Sequence, residues 1–303
     1  MAGATLLVVA AAFVVAGRNP LGADGAPLLR VDLRLASPDG TRAHPLVIAL
    51  GGPVYCDQVI AVTRFLRASM LCPDYGRDGE RSGASRSRRM EDWGSPAYLD
   101  AVARVARRLT RQHRRVSQVI LIGASYAGFA AAELAATHPE LRPRALIVVD
   151  SFFDLRERFH ALQTDQATRT EMIRVLGGTP RQRPHAYRQR SPSNHLAGLA
   201  TEIRRGMRFV DVWSVGASAA REFNGAMCSR LANSFWLRRL AGLLHRPVTG
   251  YVTRLQHATA LWDWWRQLLA LAGLATAKRP LPATAFRFRA GRPIQPGSYC
   301  TTN

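Results

Sequence analysis

Ser125 stands where a serine could act as a nucleophile. Residues 119–122 form an apolar run that predicts a buried strand, and residues 123–128 read Gly-Ala-Ser-Tyr-Ala-Gly before an alanine-rich helical stretch. A strand, a sharp turn and a helix in this order can hold a serine on a strained turn, flanked by small residues that avoid a collision. The N-terminus of the helix would favour an oxyanion beside the serine. The alternative is a glycine–alanine turn that only closes a buried strand.

Around this serine the sequence resembles the α/β-hydrolases, and most of all the prolyl-oligopeptidase-like (dipeptidyl-peptidase-type) branch. The family pattern Gly-x-Ser-Tyr-Gly-Gly is matched at 123–128, with Ala127 as the one departure. Residues 45–55 resemble the family strand that ends in His-Gly-Gly-Pro, although Leu50 stands where the histidine would be. Segments 177–180 and 187–192 are similar to the region between the family's sixth and seventh strands. The resemblance covers roughly residues 31–275 and is specific only around the serine.

The resemblance implies a base and an acid that accompany Ser125, because a serine hydroxyl of ordinary pKa is a poor nucleophile. His257 follows the predicted last strand (248–253), which is the position of the family's base. The acid is expected after the penultimate strand, where Glu222 is the nearest carboxylate and the usual aspartate is missing. Asp150, at the end of the preceding strand, is the alternative, and some hydrolases use that location. If neither serves, turnover would fall by about 10⁴-fold.

The resemblance also implies an oxyanion hole with two donors. One is the backbone N–H of Tyr126, the residue after the nucleophile. The other is expected from the backbone N–H of Val54 or Tyr55, or from the Tyr55 hydroxyl, since Pro53 has no N–H. By the same analogy Tyr55, Tyr126 and Trp93 line the pocket. The substrate would be a small ester or a peptide, and no metal or organic cofactor is implied.

Four cysteines allow three disulfide pairings. In the topology that the resemblance implies, Cys56 and Cys72 flank neighbouring strands, which favours their pairing. The remaining pair, Cys228 and Cys300, would staple the C-terminal tail to the body. The chain has neither a Cys-x-x-Cys motif nor histidines at ligand spacing, which argues against a zinc site.

The formal net charge of +21 comes almost entirely from arginine, since Lys278 is the one lysine. Nucleic-acid binding would require basic residues clustered with stacking aromatics, and here the arginines are scattered. We therefore expect no nucleic-acid partner, and expect instead a loose attraction to an anionic cell envelope or acidic polymer. The sequence does not indicate an oligomeric state.

An apolar block at residues 5–16 is too short for a comfortable membrane span and fits the core of a signal peptide. No Lys or Arg precedes the block, and a buried first strand or helix is the alternative. We interpret residues 1–16 as a signal peptide, so that the protein would be secreted or held in the cell envelope. An even number of cysteines is consistent with export.

Strands alternate with helices along the chain, which predicts an α/β fold with a doubly wound, mostly parallel sheet. We expect a catalytic domain over residues 29–275, with a small helical cap over about 155–206, and a Pro/Gly-rich tail over 276–303. Residues 29–36 alternate and meet a turn at 37–40, which predicts a hairpin strand. Ser95 and Pro96 predict the start of a helix that runs to about residue 113. Residues 248–253 are the last strand predicted.

Two functions follow from these patterns. The first is a secreted serine hydrolase, a peptidase or an esterase, that cleaves an ester or amide through an acyl-enzyme. Because about thirty residues precede the predicted core, we expect no β-propeller of the kind that restricts substrates in the large peptidases. The alternative is a degenerate α/β-hydrolase kept as a non-catalytic binding or envelope protein, which the missing aspartate favours.

Overall fold

The computed structural model describes residues 29–34, 43–50, 56–57, 59–75, 93–112, 116–161, 166–216 and 234–291. Within these ranges eight strands form one sheet and ten α-helices pack around it. The strands are β1 (Leu29–Arg34), β2 (His44–Ile48), β3 (Ser69–Tyr75), β4 (Val116–Ala124), β5 (Pro143–Val149), β6 (Arg208–Ser214), β7 (Val248–Thr253) and β8 (Ala283–Phe288). The helices are α1 (Ile60–Leu66), α2 (Pro96–Gln112), α3 (Tyr126–Thr137), α4 (Leu155–Ala161), α5 (Gln166–Leu176), α6 (Pro184–Gln189), α7 (Leu196–Arg204), α8 (Ser234–Leu244), α9 (Thr259–Asp263) and α10 (Trp265–Leu271).

The strand order is β1-β3-β2-β4-β5-β6-β7-β8. The six strands from β3 to β7 in this order pair in parallel, and β1 and β8 pair antiparallel at the two edges. The prediction of a doubly wound, mostly parallel α/β sheet is confirmed. In such a sheet the carboxyl ends of the parallel strands lie along one edge, where side chains from different loops can meet.

Both faces of the central strands are buried. Along β4, Ile120 and Ile122 contribute to one core layer, while Leu121 contributes to the other. This arrangement requires the continuous apolar runs seen in β4 and β5, because a strand covered on both sides has no solvent face. Helices α3, α7 and α8 cover the face that carries Leu121, and α1 and α10 cover the face that carries Ile120 and Ile122.

Four helices, α4 to α7, occupy the stretch between β5 and β6 where a small cap was predicted. Helix α2 begins at the predicted Pro96, and the Ser95 hydroxyl accepts a hydrogen bond from the backbone N–H of Tyr98 at 3.3 Å. None of the helices in the described ranges is long and apolar enough to cross a membrane.

Two predictions about strands were wrong. Strand β1 does not form a hairpin with β2, because β2 has parallel neighbours on both sides and β1 instead pairs antiparallel with β3. Strand β7 is not the last strand, because residues 283–288, assigned to the tail, form β8 and pair antiparallel with β7. The predicted signal peptide (1–16) and the rest of the tail beyond residue 291 lie outside the described residues.

Candidate active site

Ser125 occupies the sharp turn between β4 and α3. Its backbone has φ 52° and ψ −123°, a left-handed conformation that costs energy for a residue with a side chain. Two hydrogen bonds hold the turn: the Ser125 N–H donates to the Val149 carbonyl at 2.8 Å, and the Ser151 hydroxyl donates to the Ser125 carbonyl at 3.0 Å. Ser125 is half-buried, while the residues on either side are buried. The turn therefore presents this one side chain at the carboxyl end of β4.

Glycine at position 123 is required by the tightness of this turn. A Cβ atom there would lie 2.6 Å from the carbonyl carbon of Ala127 and 2.8 Å from the nitrogen of Gly128. Both neighbours are backbone atoms that cannot move aside without opening the turn. The collision inferred from the small residues around Ser125 is thus a property of the structure.

Asp150 lies at the end of β5, next to Ser125 in the sheet. Its backbone also has a positive φ of 51°, and its carboxylate is buried, with 2% of the side chain exposed. The carboxylate accepts hydrogen bonds from the backbone N–H and hydroxyl of Ser214, the latter at 2.8 Å, and from the backbone N–H of Ala258 at 2.7 Å. These donors stabilise the ionised carboxylate, since hydrogen bonds to a charged group favour its charged form.

His257 lies in the loop between β7 and α9. Its Nδ1 atom is 3.7 Å from Oδ2 of Asp150, beyond hydrogen-bond length but within the range of a charge interaction. The loop approaches the end of β6 closely: the Gly216 N–H donates to the Leu255 carbonyl at 3.2 Å, and a Cβ at Gly216 would lie 2.6 Å from that oxygen. This close backbone contact between the segments that follow β6 and β7 therefore fixes the position of the His257 loop at the edge of the sheet.

The imidazole of His257 is mostly buried, with 18% of its side chain exposed. Burial, and secondly the positive charge of Arg158 on α4, lower its pKa from the ordinary 6.5 to about 4. The ring is therefore neutral at pH 7, which is the form that can accept a proton. Arg158 itself is half-buried, and its guanidinium carbon lies 5.3 Å from the centre of the Phe152 ring.

The fold of the chain is similar to that of solved structures. An acylaminoacyl peptidase in complex with Z-Gly-Gly-Phe-chloromethyl ketone has a TM-score of 0.56 at 10% identity, covering 84% of this chain and 41% of that one. The Pyrococcus horikoshii acylaminoacyl peptidase has a TM-score of 0.54 at 12% identity, covering 77% and 36%. The chain has an α/β-hydrolase fold. The similarity to the α/β-hydrolases inferred from the sequence is thereby confirmed for the fold.

The chain spans less than half the length of these peptidases. A putative dipeptidyl aminopeptidase IV from Bacteroides ovatus is 15% identical, with a TM-score of 0.45, and is covered over 27% of its length. No family model matches the sequence, and no curated protein matches it.

Three of the predicted residues follow parallel strands at the same edge of the sheet: Ser125 after β4, Asp150 after β5 and His257 after β7. Glu222, the acid favoured by the sequence, and the oxyanion-hole candidates Val54 and Tyr55 lie outside the described residues. The carboxylate that the structure sets beside the imidazole is that of Asp150, the alternative.

Tyr126 begins α3 directly after Ser125, so its backbone N–H lies at the N-terminus of this helix. Its ring packs edge-on against Trp93 at 5.8 Å, and both side chains are 2% exposed. Their rings therefore belong to the core beneath the site.

The sequence did not predict two supporting residues of the site, Ser151 and Ser214. Each contacts a predicted residue through its hydroxyl: Ser151 donates to the Ser125 carbonyl and Ser214 to the Asp150 carboxylate. The signal available for Ser214 was its position at the end of a parallel strand, on the edge that carries Asp150.

Cys56 and Cys72 form the predicted disulfide, and Cys228 and Cys300 lie outside the described residues. The described residues contain no group of three or more His, Cys, Asp or Glu side chains that could hold a metal ion.

Proposed function

We propose that this protein is a serine hydrolase that cleaves an ester or amide bond through an acyl-enzyme on Ser125. The observation that carries the proposal is the interaction of Asp150 with the His257 loop, on the strand edge where the turn of Ser125 projects. Asp150 Oδ2 accepts the Ala258 N–H and lies 3.7 Å from His257 Nδ1. A buried carboxylate next to one ring nitrogen is the arrangement that orients a catalytic imidazole.

In this mechanism Nε2 of His257 accepts the proton of the Ser125 hydroxyl as its oxygen attacks the substrate carbonyl. Asp150 fixes the tautomer that carries a proton on Nδ1, and stabilises the imidazolium that forms. The imidazolium then gives its proton to the leaving alcohol or amine. Water attacks the acyl-enzyme with His257 again as the base, which releases the acid and restores the Ser125 hydroxyl.

The oxyanion of each tetrahedral intermediate requires hydrogen-bond donors in place before the reaction. The Tyr126 backbone N–H supplies one donor, and its position at the first residue of α3 adds the favourable end of the helix dipole. Val54 or Tyr55 supplies the second donor in this proposal. A low pKa keeps His257 neutral as a base, and hence active, over the whole physiological range of pH.

We further propose that the protein acts outside the cytoplasm, secreted or in the cell envelope. The disulfide between Cys56 and Cys72 supports this location, because disulfides persist mainly in oxidising compartments. The acylaminoacyl peptidases that share the fold cover more than twice the length of the matched region, so their peptide substrates do not transfer directly to this chain. Esters are the first substrates to test.

The proposal is tested by mixing the oxidised protein with p-nitrophenyl acetate and, separately, with an N-acyl-aminoacyl p-nitroanilide. The expected result is a burst of p-nitrophenolate of about one per chain, followed by slower turnover, because deacylation limits the cycle. Ser125→Ala should give no burst. Equal release by the wild-type protein and Ser125→Ala, or no release by a folded wild-type sample, would mean a binding protein with a hydrolase fold.

A further inference from the structure

Helices α1, α9 and α10 carry an aromatic surface that the proposed chemistry does not use. Phe65 is 44% exposed and Trp262 is 53% exposed, although both are large apolar side chains. The Phe65 ring packs edge-on against Trp265 at 5.1 Å. Residues 262–265 hold three of the six tryptophans of the chain. We call Phe65, Trp262, Trp265 and Arg266 the aromatic patch.

Arginine accompanies these rings. The guanidinium carbon of Arg266 lies 5.4 Å from the centre of the Phe65 ring and 5.0 Å from that of Trp265, so one cation is stacked with both. Arg64 on α1 and Arg67, the residue directly after this helix, are exposed as well. The acidic residues nearest to these in the sequence are Asp57, before α1, and Asp263 on α9, both exposed. Three arginines against two carboxylates leave the surface basic, in a chain of net charge +21.

Leaving about half of a tryptophan and of a phenylalanine side chain in water is unfavourable, because burying that apolar surface would lower the free energy. A bilayer interface suits the same set of groups: aromatic rings sit at the level of the lipid headgroups, and arginines reach the phosphates while their stems stay among apolar atoms. Basic residues near an anionic membrane surface each add to the attraction. The positive charge beside the exposed rings therefore favours an anionic bilayer over an uncharged apolar partner.

We propose that the aromatic patch binds the surface of an anionic lipid bilayer. Phe65 and Trp262 enter the headgroup region, and Arg64, Arg67 and Arg266 contact lipid phosphates. The attachment is peripheral, and it does not depend on the hydrolytic function, because none of these residues belongs to the proposed catalytic machinery.

The experiment is co-sedimentation of the full chain with vesicles of phosphatidylcholine alone and of phosphatidylcholine with one quarter phosphatidylglycerol. The wild-type protein should partition onto the anionic vesicles, and 0.5 M salt should reduce that binding, because salt screens the attraction. The double variant Phe65→Ala/Trp262→Ala should lower the partition coefficient about tenfold through lost apolar contact. Arg266→Gln should lower binding to the anionic vesicles only.

Phe235→Ala is the matched control. Phe235 is 61% exposed and has its own arginine, Arg239, with a guanidinium carbon 6.0 Å from its ring, but it lies on α8, over the other face of the sheet. All variants keep residues 1–16, so any affinity of that apolar segment for lipid is common to them. Thermal unfolding should show that each variant folds, and hydrolysis of a water-soluble ester should stay at the wild-type level.

Three results would overturn the proposal. The first is equal partition of the double variant and Phe235→Ala. The second is equal binding to neutral and anionic vesicles. The third is a wild-type dimer that Phe65→Ala/Trp262→Ala converts to a monomer in light scattering, which would make the aromatic patch a contact between copies of the chain.

Discussion

Asp150 and His257 come from loops after different strands, yet one oxygen of the carboxylate serves both the histidine and its neighbour. Oδ2 of Asp150 lies 3.7 Å from Nδ1 of His257 and accepts the backbone N–H of Ala258 at 2.7 Å. The second contact anchors the loop to the carboxylate, and the first directs the charge toward the ring. The acid of the proposed triad therefore lies after β5, one strand earlier than the position after β6 that the sequence favoured.

This assignment predicts different effects for two carboxylate substitutions. Asp150→Asn should lower kcat by roughly 10³- to 10⁴-fold, because the imidazole loses the charge that fixes its tautomer. Glu222→Gln should leave kcat within about twofold, as expected for a residue outside the proton relay. Asparagine keeps only one of the two acceptor oxygens and turns its NH2 group toward the backbone N–H of Ser214 or Ala258, so urea unfolding is measured to show that the fold is retained. A large loss of kcat in Glu222→Gln, with Asp150→Asn near the wild type, would return the acid to the loop after β6.

The pKa of His257 predicts the acid limb of the pH profile. A general base must be neutral, and burial together with Arg158 lowers the pKa of this imidazole to about 4. Activity should therefore persist as the pH falls below 6.5, and kcat/KM should be lost only near pH 4, because this ratio reports the free enzyme. The measurement is kcat/KM on a soluble ester from pH 3.5 to 8.

The variant Arg158→Met tests whether the charge of Arg158 contributes to the lowered pKa of His257. Removing the positive charge makes protonation of His257 easier, so its pKa should rise and the acid limb should move to higher pH. Burial is the larger cause, so the limb should remain below 6.5. An acid limb at 6.5 in the wild-type protein, or no displacement in Arg158→Met, would contradict the environment described for His257.

The tight turn at Ser125 should not tolerate a methyl group at position 123. In Gly123→Ala the new Cβ would lie 2.6 Å from the backbone carbonyl carbon of Ala127. Relieving that overlap should cost about 1–3 kcal/mol of unfolding free energy and displace the serine, so acylation should fall steeply. Burst amplitude and urea unfolding measure the two effects. A variant with wild-type burst and stability would show that the turn is looser than these contacts require.

The disulfide between Cys56 and Cys72 predicts a loss of stability on its removal. It joins cysteines 16 residues apart, and closing a loop of that size stabilises the folded state by about 3 kcal/mol. Cys56→Ser/Cys72→Ser should lower the unfolding free energy by this order, without abolishing the burst, and dithiothreitol should have the same effect on the wild-type protein. Unchanged urea midpoints in both experiments would mean that the bond does not form in solution.

Local patterns predicted the parts of the site that depend on local structure. Ser125 could be identified because a strand, a turn and a helix follow one another within a few residues, and the small side chains report the turn directly. His257 followed from chain order after a strand whose bounds, 248–253, the sequence predicted correctly. The acid depended on which of two strand ends approaches the imidazole, and that distance is set by packing between β5, β6 and β7.

The edge strands were harder to predict than the centre of the sheet. Strand β8 follows Pro280 and Pro282 and has five of its six residues exposed or partly exposed, so its sequence resembled a tail. It has a single partner, β7, and gains its regularity from that contact. The partner of β1 depended likewise on which neighbour of the parallel sheet was still available, a property of the whole topology.

The central claim is that Ser125 is an activated nucleophile, and covalent labelling tests it most directly. The oxidised protein is treated with a fluorophosphonate, digested and mapped by mass spectrometry, beside Ser125→Ala and His257→Ala. We expect one adduct, on the peptide that contains Ser125, none in Ser125→Ala, and labelling slower by several orders of magnitude in His257→Ala. An adduct on another serine, or no adduct in a folded wild-type protein, would contradict the proposed mechanism.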